Sequence, residues 1–286
     1  MSARVSPRVD RTARLLGLEA MERLATAHVV VLGIGGVGTV AAEALARAGV
    51  GRLTLVDGER VDETNANRQL HALDGAFGRP KAEEMAARLS RVNPALRVEA
   101  VTEFYGAESG DRLVPDGTSF VVDAMDTVVA KLHVIARCLE RRIPIVTSLG
   151  AARRIDPTAV QVTDLSETHT DQLGKDVRKY LRRRHGIASS APTGVLAVWS
   201  LEAPRPTLAL PGDELGIPGA RARVAGRREP ACHGSAAFVT GAFGLAAAAA
   251  VVQGLTGIAP RTHRELSAAE QARRRKRAVP PRRRRY

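Results

Sequence analysis

The 286-residue sequence predicts an α/β fold, a doubly wound and mainly parallel sheet with helices on both faces. Three observations predict it. Short β-branched runs alternate with helical patterns through the first half of the chain, the first run passes straight into a glycine turn and a helix, and the second ends on an acidic residue. The elements follow in order. His28 to Leu32 (HVVVL) reads as a strand, because a continuous β-branched run suits a sheet buried on both faces. GIGGVG then leads into the alanine-rich helical pattern TVAAEALARAG. Arg52 to Val56 (RLTLV) is the second strand and ends at Asp57. A longer helix is expected from Arg79 to Arg91, where Asn93-Pro94 breaks the pattern. Leu96 to Val101 and Ser119 to Val122 supply two more strands, Ala130 to Glu140 a helix, and Pro144 to Ser148 (PIVTS) a further strand. Beyond Gly150 the alternation loosens. Asp171 to His185 is a basic helix candidate containing RKYLRRRH, and residues 203–230, rich in Pro, Gly and Arg, are expected as loops. Residues 171–230 together read as a lid or substrate-facing insert, and a last helix follows Cys232. There is no internal repeat.

With 44% hydrophobic residues, the chain can bury one large core, so residues 1–260 are expected to form one globular domain. The first twenty residues hold no apolar run of signal-peptide length, which points to the cytoplasm. Ser235 to Val252 is nearly uncharged, but alanine and glycine dominate it and gain little from lipid. A buried helix and no membrane association are therefore expected. Two cysteines, Cys138 and Cys232, are too few for a disulfide framework, and neither lies in a CxxC pair that would hold zinc. Of the formal charge of +13, residues 261–286 contribute +9, as 11 Lys or Arg minus 2 Glu. This segment has almost nothing apolar to bury and is expected to be a disordered basic tail open to polyanions.

Gly33, Gly35 and Gly38 satisfy G-x-G-x-x-G between strand and helix, with Gly36 inside the turn. Missing side chains there let backbone N–H groups and a helix N-terminus approach phosphate, which makes the sheet Rossmann-like. Asp57, at the end of the next strand, is placed to accept from ribose hydroxyls. Up to this point NAD and ATP fit equally. Asn65, Asn67, Arg68 and Gln69 in TNANRQ, with Lys81 ahead of the long helix, separate them. Hydride transfer has no use for such a cluster, whereas an attacking carboxylate and a triphosphate are both anionic and need cations at the leaving oxygens. Asp123 and Asp126 (VVDAMD) close the strand ending at Val122, at the sheet edge where ligands of such folds bind. One of them is a candidate magnesium ligand, since Mg²⁺ takes one or two carboxylates and fills its shell with phosphate oxygens and water. Cys232 and His71 read better as packed side chains than as reactive groups.

RTARLLG, GIGGVG, LVD, TNANRQLHAL, GRPKAE, RVNP, DAMD and IDPTAVQVTDL, in this order, resemble the family containing ThiF, MoeB and HesA, relatives of ubiquitin-activating enzymes. Within it, NRQLHAL, IDPTAVQVTDL and ACHGSAAFVTGAFG are similar to the branch that dehydrates threonylcarbamoyladenosine in tRNA. The resemblance implies an ATP-dependent adenylation with Mg²⁺ in which Asp57 binds the ribose, Arg68 and Lys81 contact the phosphates, Asn65 lies nearby and Asp126 binds the metal. It further implies a homodimer in which Arg14 reaches the partner's triphosphate, a tRNA carrying threonylcarbamoyladenosine as substrate, and a sulfur-relay protein as a candidate partner. The four zinc cysteines of many sulfur-carrier activators are absent, which disfavours that rival activity. LGAARRID departs from the glycine-rich stretch of some relatives, so Leu149, Arg153 and Arg154 are expected to narrow or recharge the pocket mouth.

Overall fold

The structure, a computed structural model, describes residues 6–188, 191–208, 223–224, 227–228 and 233–259. The tail at 261–286, Cys232 and most of the 203–230 segment lie outside them. Two short helices, α1 (Asp10–Leu16) and α2 (Leu18–Thr26), precede β1 (His28–Leu32). Then come α3 (Gly38–Ala48), β2 (Arg52–Val56), α4 (Lys81–Val92), β3 (Arg97–Val101), α5 (Gly110–Leu113), β4 (Phe120–Asp123), α6 (Val128–Glu140) and β5 (Ile145–Ser148). The chain continues through β6 (Val160–Asp164), α7 (Gln172–His185) and β7 (Leu196–Ser200), and α8 (Ala237–Thr256) follows later.

The seven strands run in the order β3-β2-β1-β4-β5-β7-β6, parallel throughout except for β6, which pairs antiparallel with β7. The sheet is therefore wound outward from β1 in both directions, and the winding reverses between β1 and β4. That reversal opens a crevice at the carboxyl ends of these two strands, where ligands of open α/β sheets bind. All five β1 residues are buried. Val29 and Val31 join the core beneath α3, α4 and α8, while Val30 and Leu32 join the core beneath α6 and α7. A strand buried on both faces has no polar alternation to show, which is why HVVVL reads as a continuous run.

α3 buries Thr39, Ala41, Ala42, Leu45 and Ala46 on one stripe and stops at Gly49, left-handed at φ +97°. α8 lies against α3 and sinks Val239, Phe243, Ala247 and Val251, four apart, into the same core. Among the described residues, α8 alone is long and apolar enough to cross a membrane; 44% of its apolar window is buried. On the opposite face, α7 packs on α6 through Val177 and Leu181, and its last turn carries Arg182, Arg183, Arg184 and His185 beside the negative end of the helix dipole.

β6 and α7 hang on one carboxylate. Asp164 Oδ1 accepts from the Ser166 and Thr193 backbones (2.8 and 2.9 Å) and from both hydroxyls, and Oδ2 accepts from Gly194 N at 2.8 Å. Asp164 also faces Leu196 in the β6–β7 register, so residues 165–195 leave and return at a single point.

Candidate active site

The glycine turn is fixed by two close approaches. Gly33 has φ +87°, and a Cβ there would lie 2.8 Å from the Ala124 carbonyl oxygen, at the start of the turn after β4. A Cβ on Gly38 would fall on the Gly33 carbonyl oxygen. Gly38→Ala is therefore expected to cost about 1–3 kcal/mol of stability by overpacking. It should also abolish any rise in melting temperature on adding ATP, as thermal unfolding with and without the nucleotide will read.

Asp57 stands beside this turn. Its Oδ2 accepts from Ile34 N at 2.7 Å and its Oδ1 from Glu59 N at 2.8 Å, leaving lone pairs on both oxygens for hydroxyl donors. Burial pushes its carboxyl above the ordinary aspartate value, against the two backbone N–H groups and Lys81, which pull it down.

The loop after β2 brings the predicted polar cluster onto the turn. Asn65, 7% exposed, accepts from Asp62 N at 3.1 Å and completes a capping box with it, so its amide builds the loop. Asn67 donates to the Ser235 carbonyl at 2.9 Å, tying the loop to the approach to α8. Arg68 lays its Cγ 3.1 Å from where a Gly36 Cβ would be, and its guanidinium donates to the Thr64 carbonyl (3.0 Å) and Asn67 Oδ1 (2.9 Å). Gln69 Nε2 lies 4.0 Å from the corresponding point on Gly35. Lys81, 4% exposed at the start of α4, pairs with Glu59. Glu59 lacked a local signal in the sequence, because its partner is 22 residues away.

The two carboxylates after β4 part company. Asp123 is fully buried, with Oδ2 bound to Lys131 Nζ (2.9 Å) and Thr147 Oγ1 (2.6 Å) and Oδ1 accepting from Met125 N (3.2 Å). It shapes the turn from below. Asp126 is exposed, and its only side-chain hydrogen bond among the described residues is from the Thr127 hydroxyl at 3.4 Å. A single unpaired carboxylate at the crevice suits a magnesium ion that takes its other ligands from phosphate and water. No group of three or more His, Cys, Asp or Glu side chains forms a closed metal cage among the described residues.

Two expectations change on this geometry, and a third narrows. Arg154 does not recharge the pocket mouth: it is 3% exposed and points inward to Asp171 (3.0 Å) and to the carbonyls of Gly150 and Glu202. Leu149 is likewise buried in the α6–α7 core. Asp123 is occupied by Lys131, which leaves Asp126 alone to face a ligand. Arg14 lies apart from these groups on α1, largely exposed and, among the described residues, paired only with Asp10 of its own helix at 2.8 Å.

Among the described residues, the buried side-chain atoms without a hydrogen-bond partner are Gln69 Oε1 and both ring nitrogens of His71. All three belong to this loop. Burial, with Lys81 and Arg88 nearby, pushes His71 down to about 4 from 6.5. The unfolded chain thus takes up a proton here before the folded one does. The penalty is absent above about pH 6.5 and grows as pH falls toward 4, reaching about 2 kcal/mol at pH 5. Urea unfolding at pH 7 and pH 5 should show this loss in the wild type and not in His71→Asn.

The chain is similar throughout to proteins of known kind. The ThiF family profile matches residues 9–285. The tRNA threonylcarbamoyladenosine dehydratase of Bacillus subtilis (strain 168) is 46% identical over 195 residues, covering 68% of this chain and 75% of that protein. The enzyme of the same name from Escherichia coli (strain K12) is 42% identical over 245 residues, covering 84% and 90%. The crystal structure of the E. coli tRNA N6-threonylcarbamoyladenosine dehydratase in complex with ATP superposes with a TM-score of 0.75 at 40% identity, over 87% of this chain and 94% of that one. The chain belongs to the ThiF family.

Proposed function

We propose that this protein catalyses the ATP-dependent dehydration of N6-threonylcarbamoyladenosine in tRNA. The observation that carries the reading is a pair of cations, Arg68 packed over Gly36 of the glycine turn and Lys81 buried close enough to Asp57 to lower its carboxyl. The similarity to dehydratases along most of the chain supports the substrate. ATP lies with its phosphates on the turn from Gly33 to Gly38 and its ribose hydroxyls on Asp57. The substrate carboxylate attacks the α-phosphate, forming an acyl adenylate and releasing pyrophosphate. Arg68 and Lys81 take up the charge that develops on the bridging and leaving oxygens. Lys81 is exchangeable for this purpose, since an incoming phosphate competes with Glu59 for the same ammonium. The ureido group of the modified base then closes on the activated carbonyl and expels AMP. Asp126 would hold Mg²⁺, which neutralises triphosphate charge, and Asn65 keeps the loop in register.

The protein acts in the cytoplasm as a homodimer, with Arg14 of each copy reaching the triphosphate bound by the other. An exposed Arg14 beside the exposed Leu15 (81%) and Leu18 (58%) supports a covered N-terminal surface. α7 faces the substrate, with its basic end, Arg182 to His185, toward RNA.

The test is incubation of the purified protein with ATP, magnesium and tRNA bearing threonylcarbamoyladenosine, followed by mass spectrometry of nucleosides and an AMP assay. Loss of one water from the nucleoside, with stoichiometric AMP, is expected. AMP or pyrophosphate forming only when a small carrier protein is added would replace this reading with carrier-protein adenylation.

A further inference from the structure

Behind the loop that carries Arg68, a cavity of about 700 Å³ opens between the N-terminal turn, the end of α3, residues 70–76 and the outer face of α4. Neither the glycine turn nor Asp57 nor Asp126 lines it. Five arginines do, Arg8, Arg47, Arg79, Arg88 and Arg91, against Asp74 and Glu84, so its wall carries +3 by 5 minus 2 with His71 neutral. Arg47 and Arg88 share one carboxylate, Glu43, at 2.7 and 2.6 Å, and Arg79 pairs with Glu84 at 2.7 Å. Arg8 and Arg91 form no ion pair with any described residue, and among those residues the Arg8 guanidinium donates only to the Val92 carbonyl, at 3.2 Å. His71 also lines the cavity, 3% exposed, with both ring nitrogens buried and unpartnered. A buried imidazole with neither nitrogen partnered is costly unless a ligand supplies the missing oxygen atom, and Arg8 and Arg91 stand beside it without a carboxylate.

We propose that this cavity is a phosphate-binding subsite separate from the nucleotide crevice, in which Arg8 and Arg91 close on an anion that accepts a hydrogen bond from His71. Guanidinium forks match tetrahedral oxyanions two oxygens at a time, and the cavity is of the size that holds small ligands. Burial holds the imidazole neutral first, and an anion there offsets the smaller contribution of the Lys81 and Arg88 charges. A free phosphate ion and a phosphate of an RNA backbone present the same oxygens. The RNA source rests on the function proposed above; binding of the free ion does not.

The experiment titrates inorganic phosphate into the full chain at constant ionic strength and follows the His71 ring by proton–carbon NMR, the signal being assigned by its loss in His71→Gln. A saturable shift is expected, with affinity about ten-fold weaker in Arg91→Gln or Arg8→Gln, as for loss of one charge-assisted contact. Both arginines are exposed, so these variants keep the test open should His71→Gln fail to fold. Added tRNA transcript then separates the sources. Displacement of phosphate by RNA, with the salt slope of RNA binding lowered by about 1 in Arg91→Gln, assigns the site to the RNA backbone. Saturable phosphate binding indifferent to RNA assigns it to the free ion. A shift that never saturates and is the same in both arginine variants overturns the proposal. Should dehydration fail while His71 responds, the functional reading falls and this site stands.

Discussion

Arg68→Ala is expected to slow adenylation about 10²–10³-fold, the loss seen when one preorganised donor to a developing oxyanion is removed. The folded state should hardly notice. Arg68 makes two hydrogen bonds within its own loop, to the Thr64 carbonyl and Asn67 Oδ1, and has no carboxylate partner among the described residues. Its Cγ rests 3.1 Å from where a Gly36 Cβ would be, which keeps the side chain against the glycine turn and out of the core. Removing the guanidinium therefore breaks no ion pair among the described residues. Single-turnover AMP release measured beside a thermal melt distinguishes the roles. A slow enzyme with an unchanged midpoint places Arg68 in the chemistry, and a lowered midpoint with normal single-turnover rate makes it a strut of the loop. Arg68→Lys keeps the charge and loses the fork, and should recover part of the rate.

Lys131→Met should be the most destabilising single change, at about 3–5 kcal/mol, because it strands a buried aspartate. Lys131 and Asp123 are both fully buried and 2.9 Å apart, and Thr147 closes the group at 3.2 Å from the ammonium and 2.6 Å from the carboxylate. The three side chains join α6, β4 and β5 beneath the crevice. For a domain of this size, the loss lowers the thermal midpoint by on the order of 10 °C. Adding Asp123→Asn should restore much of it, since the uncompensated charge is then gone, and a double-mutant cycle reads the coupling directly. An undiminished midpoint in Lys131→Met would show that water reaches the pocket and solvates Asp123.

The pair also explains where reading the sequence falls short. Asp123 and Asp126 look alike in VVDAMD, and only the distant Lys131 and Thr147 decide that one is interior and the other faces solvent. Arg154 fails for the same reason: its charge suggested a pocket mouth, but its partner Asp171 lies 17 residues on and buries it. Local chemistry was far more legible. The β1–turn–α3 unit, the place of Asp57 just past β2, and the strands through β5 follow from period, glycine and β-branching, all of which act within a few residues. The helix from Lys81 to Val92 starts two residues later than the amphipathic pattern suggests, because Pro80 stands as its N-cap. Beyond Gly150 the pattern blurs since β6 lies at the sheet edge, only partly buried, and pairs antiparallel, so neither a buried run nor clean alternation marks it. α1 and α2 went unread because their apolar faces are short and find partners only in the folded core.

The single carboxylate of Asp164, which receives both ends of the 165–195 excursion, makes that excursion an interchangeable part. Its two ends meet at adjacent positions of β6 and β7 whatever lies between them. Chain inserted there costs only about 0.6 kcal/mol for each doubling of length, and the sheet that carries the glycine turn is not strained by it. Descendants of this chain can therefore rewrite α7, altering its length, charge or reach, while the sheet and its glycine turn are inherited intact. The fold keeps the glycine turn apart from this excursion, and lets the two diverge at different speeds.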